Sequence, residues 1–332
     1  MNEFILALFN QKDKLKRKTL YLILTGKRTS STYFYAKLHG LLNVFGLFPH
    51  LSEKDFHQSI HALIKQHYLK QEAEDLILIK QPASLLTPYY EVISQLDGFR
   101  FARNGQQLWR LLQALVQNLA AWPKPFNQLP VEISPFYVFF TERILTEMTP
   151  EKKAQFIEDC YAIFDLLPNE VSLFLVQSLS GEQYQGRTFF QLCPKEYQTY
   201  PLNECYGLAM IHQFWYQVLR HPDNLLYQLF HAQLLLNYNQ SMLQTRHLFL
   251  QGYSIEKIAQ IRRLKIGTLN DHMIEWALLD SKFPFERFEL IVDAQLLTQT
   301  YQDFQEKYAD KGFLCYRLSQ LYQLNQRKLE KE

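Results

Sequence analysis

The chain has 332 residues, with 35 Lys and Arg against 33 Asp and Glu for a net charge of +2, too near balance for bulk charge to mark a nucleic-acid binder. That length suffices for two or three compact units, each able to bury a core without metals or disulfides. Eleven Gly and thirteen Pro fall below the roughly 7% and 5% of ordinary usage while Leu, Gln, Tyr and Phe abound, so a mainly α fold is expected. Cys160, Cys193, Cys205 and Cys315 form no C-x-x-C pair, which disfavours a disulfide frame or a four-thiolate zinc site and leaves buried, reduced thiols as the expectation.

Charge is unevenly spread. Residues 1–80 carry twelve Lys and Arg against seven Asp and Glu, a net of +5, whereas residues 151–240 carry five against nine, a net of −4; the two stretches suit different partners. The first residues, "MNEFILALFNQKDKLKRK", place an apolar patch from Phe4 to Phe9 ahead of a basic run from Lys12 to Lys18, the reverse of a signal peptide. No apolar run approaches the ~18–20 residues that span a bilayer, so a cytoplasmic protein without membrane contact is expected.

The first region, 1–85, is expected to hold a basic helix and then "LTGKRTSSTYFYAKLHGLLNVFGLFPH". Ser52 caps a helix whose Phe56, Ile60, Leu63 and Ile64 recur at helical spacing, and "LILIK" after the polar "KQEAED" reads as a short strand. Helix, polar tip and strand suit the close of a winged helix. Gly26-Lys27 is no phosphate loop, because Tyr21 stands where the earlier Gly is needed. His57 and His61 lie one helical turn apart, yet without the Glu of H-E-x-x-H or an evident third ligand they indicate a surface helix and no metal site. The second region, 86–240, holds apolar helical stretches such as "GQQLWRLLQALVQNLAAW" and "CYGLAMIHQFWYQVLRH", separated by connections such as "AWPKPFNQLP". It reads as a helical spacer or docking domain, with "HQFWYQVL" as core packing. No catalytic motif and no cofactor or small-molecule site is evident, so the chain is expected not to be an enzyme.

The third region, 241–332, contains "GYSIEKIAQIRRLKIGTLNDHMIEW" and two further helical stretches around 286–308 and 312–328. Ser254 stands at an N-cap, Glu256 suits the positive helix start, and Ile255, Ile258 and Ala259 face inward. Leu264 plugs the turn, and Leu269, Met273 and Trp276 recur at spacings of four and three, the interlocking pattern of a helix-turn-helix. The exposed side of its second helix is then Gly267, Thr268, Asn270, Asp271, Ile274 and Glu275. Thr268 and Asn270 can bond phosphates or base edges, but two carboxylates repel a phosphate backbone and disfavour sequence-specific reading. Lys257, Arg262, Arg263 and Lys265 gather just before this helix, a cluster suited to phosphate contacts or, alternatively, to a solvated face.

The stretch "LFLQGYSIEKIAQIRRLKIGTLNDHMIEW" closely resembles the helicase-associated helix-turn-helix domain at the C-termini of some RecQ-type helicases and of the YpbB-type proteins of Firmicutes. Gly252, Ser254, Ile258, Ala259, Arg262, Leu264, Lys265, Thr268, Leu269, Asp271 and His272 fit that pattern, whereas Arg263 stands where a Gly is usual. Residues 24–80 are similar to the winged-helix domain of RecQ helicases, through Leu24, Gly26, Lys27, Ser30, His39, Leu51, Ser52, Phe56, Ile60, Leu63, Tyr68, Leu69 and Leu76 to Ile79. This second resemblance implies backbone contacts from Lys27, Arg28, Thr29, Ser30 and Ser31. The tip lacks an aromatic wedge for strand separation, and no four-cysteine zinc module is present. Together the resemblances imply a non-enzymatic DNA-binding accessory factor of low sequence specificity, acting with a RecQ-type helicase in DNA repair or recombination. The rival expectation is a helix-turn-helix transcriptional regulator that reads a defined operator.

Overall fold

Apolar residues at three- and four-residue spacing become helices throughout the computed structural model, which describes residues 1–9, 13–124 and 132–329. Lys12 of the basic run and most of the "AWPKPFNQLP" connection lie outside the described residues. In chain order the elements begin with α1 (Asn2–Ala7), β1 (Lys14–Lys16), α2 (Arg17–Leu24), α3 (Ser30–Leu38), α4 (Glu53–Lys65), β2 (Leu69–Glu72) and β3 (Asp75–Leu78). Then come α5 (Ala83–Gln95), α6 (Gly98–Phe101), α7 (Gly105–Ala121), α8 (Pro135–Thr146), α9 (Pro150–Asp165), α10 (Asn169–Val176), α11 (Phe189–Leu192), α12 (Leu202–Arg220) and α13 (Leu225–Leu234). The last are α14 (Gln240–Leu250), α15 (Ile255–Arg262), α16 (Ile266–Leu279), α17 (Tyr301–Lys307) and α18 (Phe313–Leu329). The protein is mainly α, as its composition implied.

These elements form two compact units, Met1–Gly26 with Leu42–Asn237, and Lys27–Leu41 with Tyr238–Glu332, a division that differs from one at 85 and 240. Near residue 85 there is no seam, because α1 packs against both α4 and α5, with Phe4, Ile5 and Leu6 buried. Residues 27–41 leave their sequence neighbours and join the C-terminal unit because α3 packs on α16.

In the first unit the basic stretch expected as one helix is a strand followed by a helix. β1 pairs with β3, and β3 with β2, both antiparallel, giving the order β1-β3-β2. The register sets Leu15 opposite Leu76 and Leu69 opposite Leu78; alternation along each strand turns Leu15, Leu69 and Leu76 into the core. Ser52 caps α4 by accepting from the Asp55 N–H at 3.0 Å, and His57 and His61 stay exposed on that helix. Further along, α12 is apolar nearly all round and lies buried, its Phe214 edge-on to Trp109 of α7 at 5.3 Å and its Trp215 against Phe230 of α13 at 5.1 Å. The "HQFWYQVL" stripe is thus core, with His212, Phe214, Trp215 and Val218 buried and Tyr216 at the surface. All four cysteines are free, Cys193 and Cys205 buried and the others half-buried. Among the described residues no helix is long and apolar enough to cross a membrane.

In the second unit Met242, Phe249, Ile258, Leu269, Met273 and Trp276 build the core of the α14–α15–α16 bundle. A smaller cluster of Leu296, Phe304 and Tyr316 holds α17 on α18. The helical stretch expected over 286–308 is shorter, since only Tyr301–Lys307 is α-helical, started by a capping box in which Thr300 and Asp303 satisfy each other's backbone.

Candidate nucleic-acid interface

The sequence IEKIAQIRRLKIG builds a tight corner from local rules. Ser254 accepts from the Lys257 N–H at 3.2 Å to start α15, and Ile258 and Leu269, both fully buried, lock α15 to α16. At the far end the Arg263 N–H donates to Gln260 and the Leu264 N–H to Ala259, the paired closure of a Schellman motif. That motif needs a left-handed residue, and Arg263 supplies it with φ 51° and ψ 44°, where the resembling sequences carry Gly. No side chain caps α16: Lys265 holds the cap position without a side-chain bond, and a Cβ on Gly267 would meet nothing within 4 Å. The Thr268 N–H bonds the Lys265 carbonyl at 3.0 Å, while the Ile266 and Gly267 N–H groups at the start of this fourteen-residue helix have no side-chain cap, a favourable place for a phosphate.

Of the four cations expected beside this turn, three project outward. Lys257, Arg263 and Lys265 are exposed. Arg262 does not join them: it bonds the Ser241 carbonyl at 2.6 Å, Ser241 Oγ at 2.8 Å and Gln244 Oε1 at 2.9 Å, and also Thr245 Oγ1. Its guanidinium ties α15 to α14, so the expected phosphate contact from Arg262 is corrected to an internal brace. Thr268 and Asn270 are half-buried and Asp271 exposed.

The exposed face drawn for α16 also needs correction. Ile274 is 0% and Glu275 3% exposed, because α3 and α18 both pack against this helix. Glu275 Oε1 accepts from Arg28 Nη1 at 3.2 Å and from the Tyr33 hydroxyl at 3.3 Å, and Oε2 from Asn239 Nδ2 at 3.1 Å. Burial pushes the Glu275 carboxyl up, while the Asn239, Arg28 and Tyr33 donors pull it back; burial and the nearby Glu275 charge likewise raise the Tyr33 phenol. Glu275 is thus an internal counter-ion. On the other side of α3, Arg317 of α18 lies over the Phe34 ring, 4.0 Å from its centroid, a cation–π contact.

The Lys27–Ser31 candidates divide accordingly. Lys27 and Ser31 are exposed, and Arg28 is committed to Glu275 at 3.2 Å. Thr29 caps α3 by accepting from the Thr32 N–H at 3.2 Å, and Ser30 is half-buried. All five sit in the same unit as the helix-turn-helix, a placement their resemblance to a separate winged helix did not anticipate. The local signal is that Arg28 precedes, and Tyr33 lies on, a helix with no acidic residue, leaving their partner to be supplied from elsewhere in the chain.

Burial also governs the histidine of the motif. His272 is buried with Nδ1 2.8 Å from Thr245 Oγ1; burial, with Arg262 nearby, brings it down to about 4, Asp271 opposing. It is a neutral core residue at physiological pH. Among the described residues no group of three metal-ligating side chains converges.

A family model described as a helix-turn-helix domain matches residues 241–326, which takes in α15, α16 and most of α18 but not α3. The chain is also 27% identical over 283 residues to Protein YpbB of Bacillus subtilis (strain 168), an alignment covering 80% of this chain and 78% of that protein. No solved structure matches. The chain therefore carries a helix-turn-helix domain, a module whose ordinary work is DNA binding.

Proposed function

We propose that this protein is a non-enzymatic DNA-binding accessory factor that acts with a RecQ-type helicase in DNA repair or recombination. The observation that carries the DNA-binding part is the exposure of Arg263 and Lys265 at the start of α16, which no side chain caps, with Lys257 also exposed on α15, cations beside a helix start where a phosphate would lie. Lys27 and Ser31 add exposed polar groups in the same unit. Base reading has little to work with, since only the first turn and a half of α16 is open and Asp271 faces outward there. This weighs against the operator-reading regulator and for contact with backbone of any sequence. The order β1-β3-β2 with α1, α2 and α4 before and between its strands supports reading this region as winged-helix-like. Its wing tip carries Glu72, Glu74 and Asp75, which suits a scaffold better than a strand-separating pin.

A protein partner has a separate place to bind. Phe139 of α8, Tyr161 of α9 and Leu173 of α10 are 70%, 67% and 60% exposed, large apolar side chains of the sort that mark interaction surfaces. Each has a carboxylate one helical turn away in sequence, Glu142 for Phe139, Glu158 and Asp165 for Tyr161 and Glu170 for Leu173, a local charge suited to a basic nucleic-acid motor. The test is binding of the purified protein to forked, duplex and single-stranded DNA, with and without a RecQ-type helicase. Broad affinity across the three and a ternary complex support the reading. A single tightly bound palindrome with no helicase contact would move the regulator to first place.

A further inference from the structure

A cleft of about 690 Å³ opens in the first unit between α7 and the segment Ser178–Phe189, within the size range of small-ligand sites. One stripe of α7 lines it with Gln106, Arg110, Gln113 and Gln117, and the facing segment adds Tyr184 and Arg187. The walls are preorganised. Trp109 Nε1 donates to Ser178 Oγ at 3.2 Å and Gln113 Nε2 to the Ser178 carbonyl at 2.8 Å. Within the segment the Gly186 N–H donates to Ser180 Oγ at 3.0 Å and the Gly181 N–H to the Tyr184 carbonyl at 2.8 Å. A Cβ at Gly186 would stand 2.4 Å from the Ser178 carbonyl oxygen, so only Gly keeps this conformation.

The electrostatics of the cleft run against its surroundings. Residues 151–240 carry a net charge of −4, yet the charged side chains lining the cleft are both guanidinium groups. Arg110 is paired with Glu132 at 3.3 Å. Arg187 is exposed, and its guanidinium has no acidic partner among the described residues. Amide side chains that donate and accept in one plane match the edge of a base, an exposed tyrosine ring offers a stacking surface, and an unpaired guanidinium takes a phosphate in two parallel bonds. We propose that this cleft binds a single nucleotide unit, phosphate on Arg187 and base between Tyr184 and α7, where the exposed Gln106 amide and the Oε1 of Gln113 face its edge. The unit is either a free nucleotide or one residue of a single strand.

The inference does not depend on the helix-turn-helix reading. It is tested by titration calorimetry of the full chain with 5′-dAMP, adenosine, inorganic phosphate and a twelve-residue oligo(dA). The strand is measured in a Lys257→Glu, Arg263→Glu, Lys265→Glu background, to silence the helix-turn-helix. The expected result is saturable dAMP binding, with adenosine and phosphate each weaker by at least about tenfold, the loss of one charged hydrogen bond or more. Arg187→Glu and Arg187→Gln, both surface changes, should weaken dAMP by about tenfold or more, and Tyr184→Ala by several-fold. Oligo(dA) tighter than dAMP identifies a strand as the source; dAMP tighter identifies the free nucleotide. Phosphate binding as well as dAMP, no binding at millimolar concentration, indifference to both Arg187 variants, or loss of dAMP binding in the triple-Glu background would each overturn the proposal.

Discussion

Replacing Glu275 by Ala tests whether α3 is a working part of the helix-turn-helix unit. The change strips the acceptor from three donors at once: Arg28 Nη1, the Tyr33 hydroxyl and Asn239 Nδ2. Tyr33 is 2% exposed, so its hydroxyl cannot turn to bulk water, whereas the Arg28 side chain is 26% exposed and recovers part of its hydration. A buried donor left unmet costs about 1–3 kcal/mol and a broken buried ion pair about 3–5. With the carboxylate's own desolvation relieved, the net loss is about 3–4 kcal/mol. Glu275→Gln keeps the volume and two acceptor directions and should cost about 1–2 kcal/mol. The assay is amide hydrogen exchange resolved along the chain. Protection in α3 and α16 should fall about 100- to 1,000-fold in Glu275→Ala, with α7 and α12 of the other unit unchanged. Asp271→Ala, one turn earlier and exposed, should stay within about 0.5 kcal/mol of the parent. Unchanged protection in Glu275→Ala, or an equal loss in Asp271→Ala, would refute the account of α3 as a clamp.

Three further outcomes follow from the same geometry. Arg263→Gly relieves a left-handed φ of 51° and should stabilise the second unit by about 0.5–1 kcal/mol in urea melts, while weakening DNA binding through the lost cation. Converting Lys257, Arg263 and Lys265 to Glu should lower the slope of log affinity against log salt by about two to three on every DNA tested, whereas Arg262→Ala, which loosens α15 from α14, should show up in stability first; an unchanged slope in the triple variant would make the turn a solvated face. His272 has a folded value of about 4 against the ordinary 6.5, so the unfolded chain takes up the proton first: stability present above about pH 6.5 drains away as pH falls toward 4, by about 3 kcal/mol. His272→Gln should remove that slope from exchange in α14 and α16, leaving in α12 the acid sensitivity of His212, which burial brings down to about 3.

Local rules reach far in this chain. Ser254 and Ser52 cap the helices they precede, and the four-and-three spacing of Leu269, Met273 and Trp276 marks buried positions, whereas the left-handed turn at Arg263 is signalled only by a resemblance in which Gly is usual there. Each of these depends on neighbours within a turn or two, so periodicity and capping preference suffice. Where a polar side chain points is another matter. Glu275 sits on α16 at a position that reads as surface, and Arg262 in a basic run that reads as a phosphate clamp. Their partners, Arg28 and Tyr33 at 247 and 242 residues' distance for Glu275 and α14 for Arg262, are brought near only by packing. The route of residues 27–41 into the second unit is likewise a tertiary outcome. Whether α3 stays with its sequence neighbours or covers α16 turns on long-range burial of Ile274, Tyr33 and Phe34 and on one internal ion pair, and no local pattern encodes a contact that the chain must fold to make.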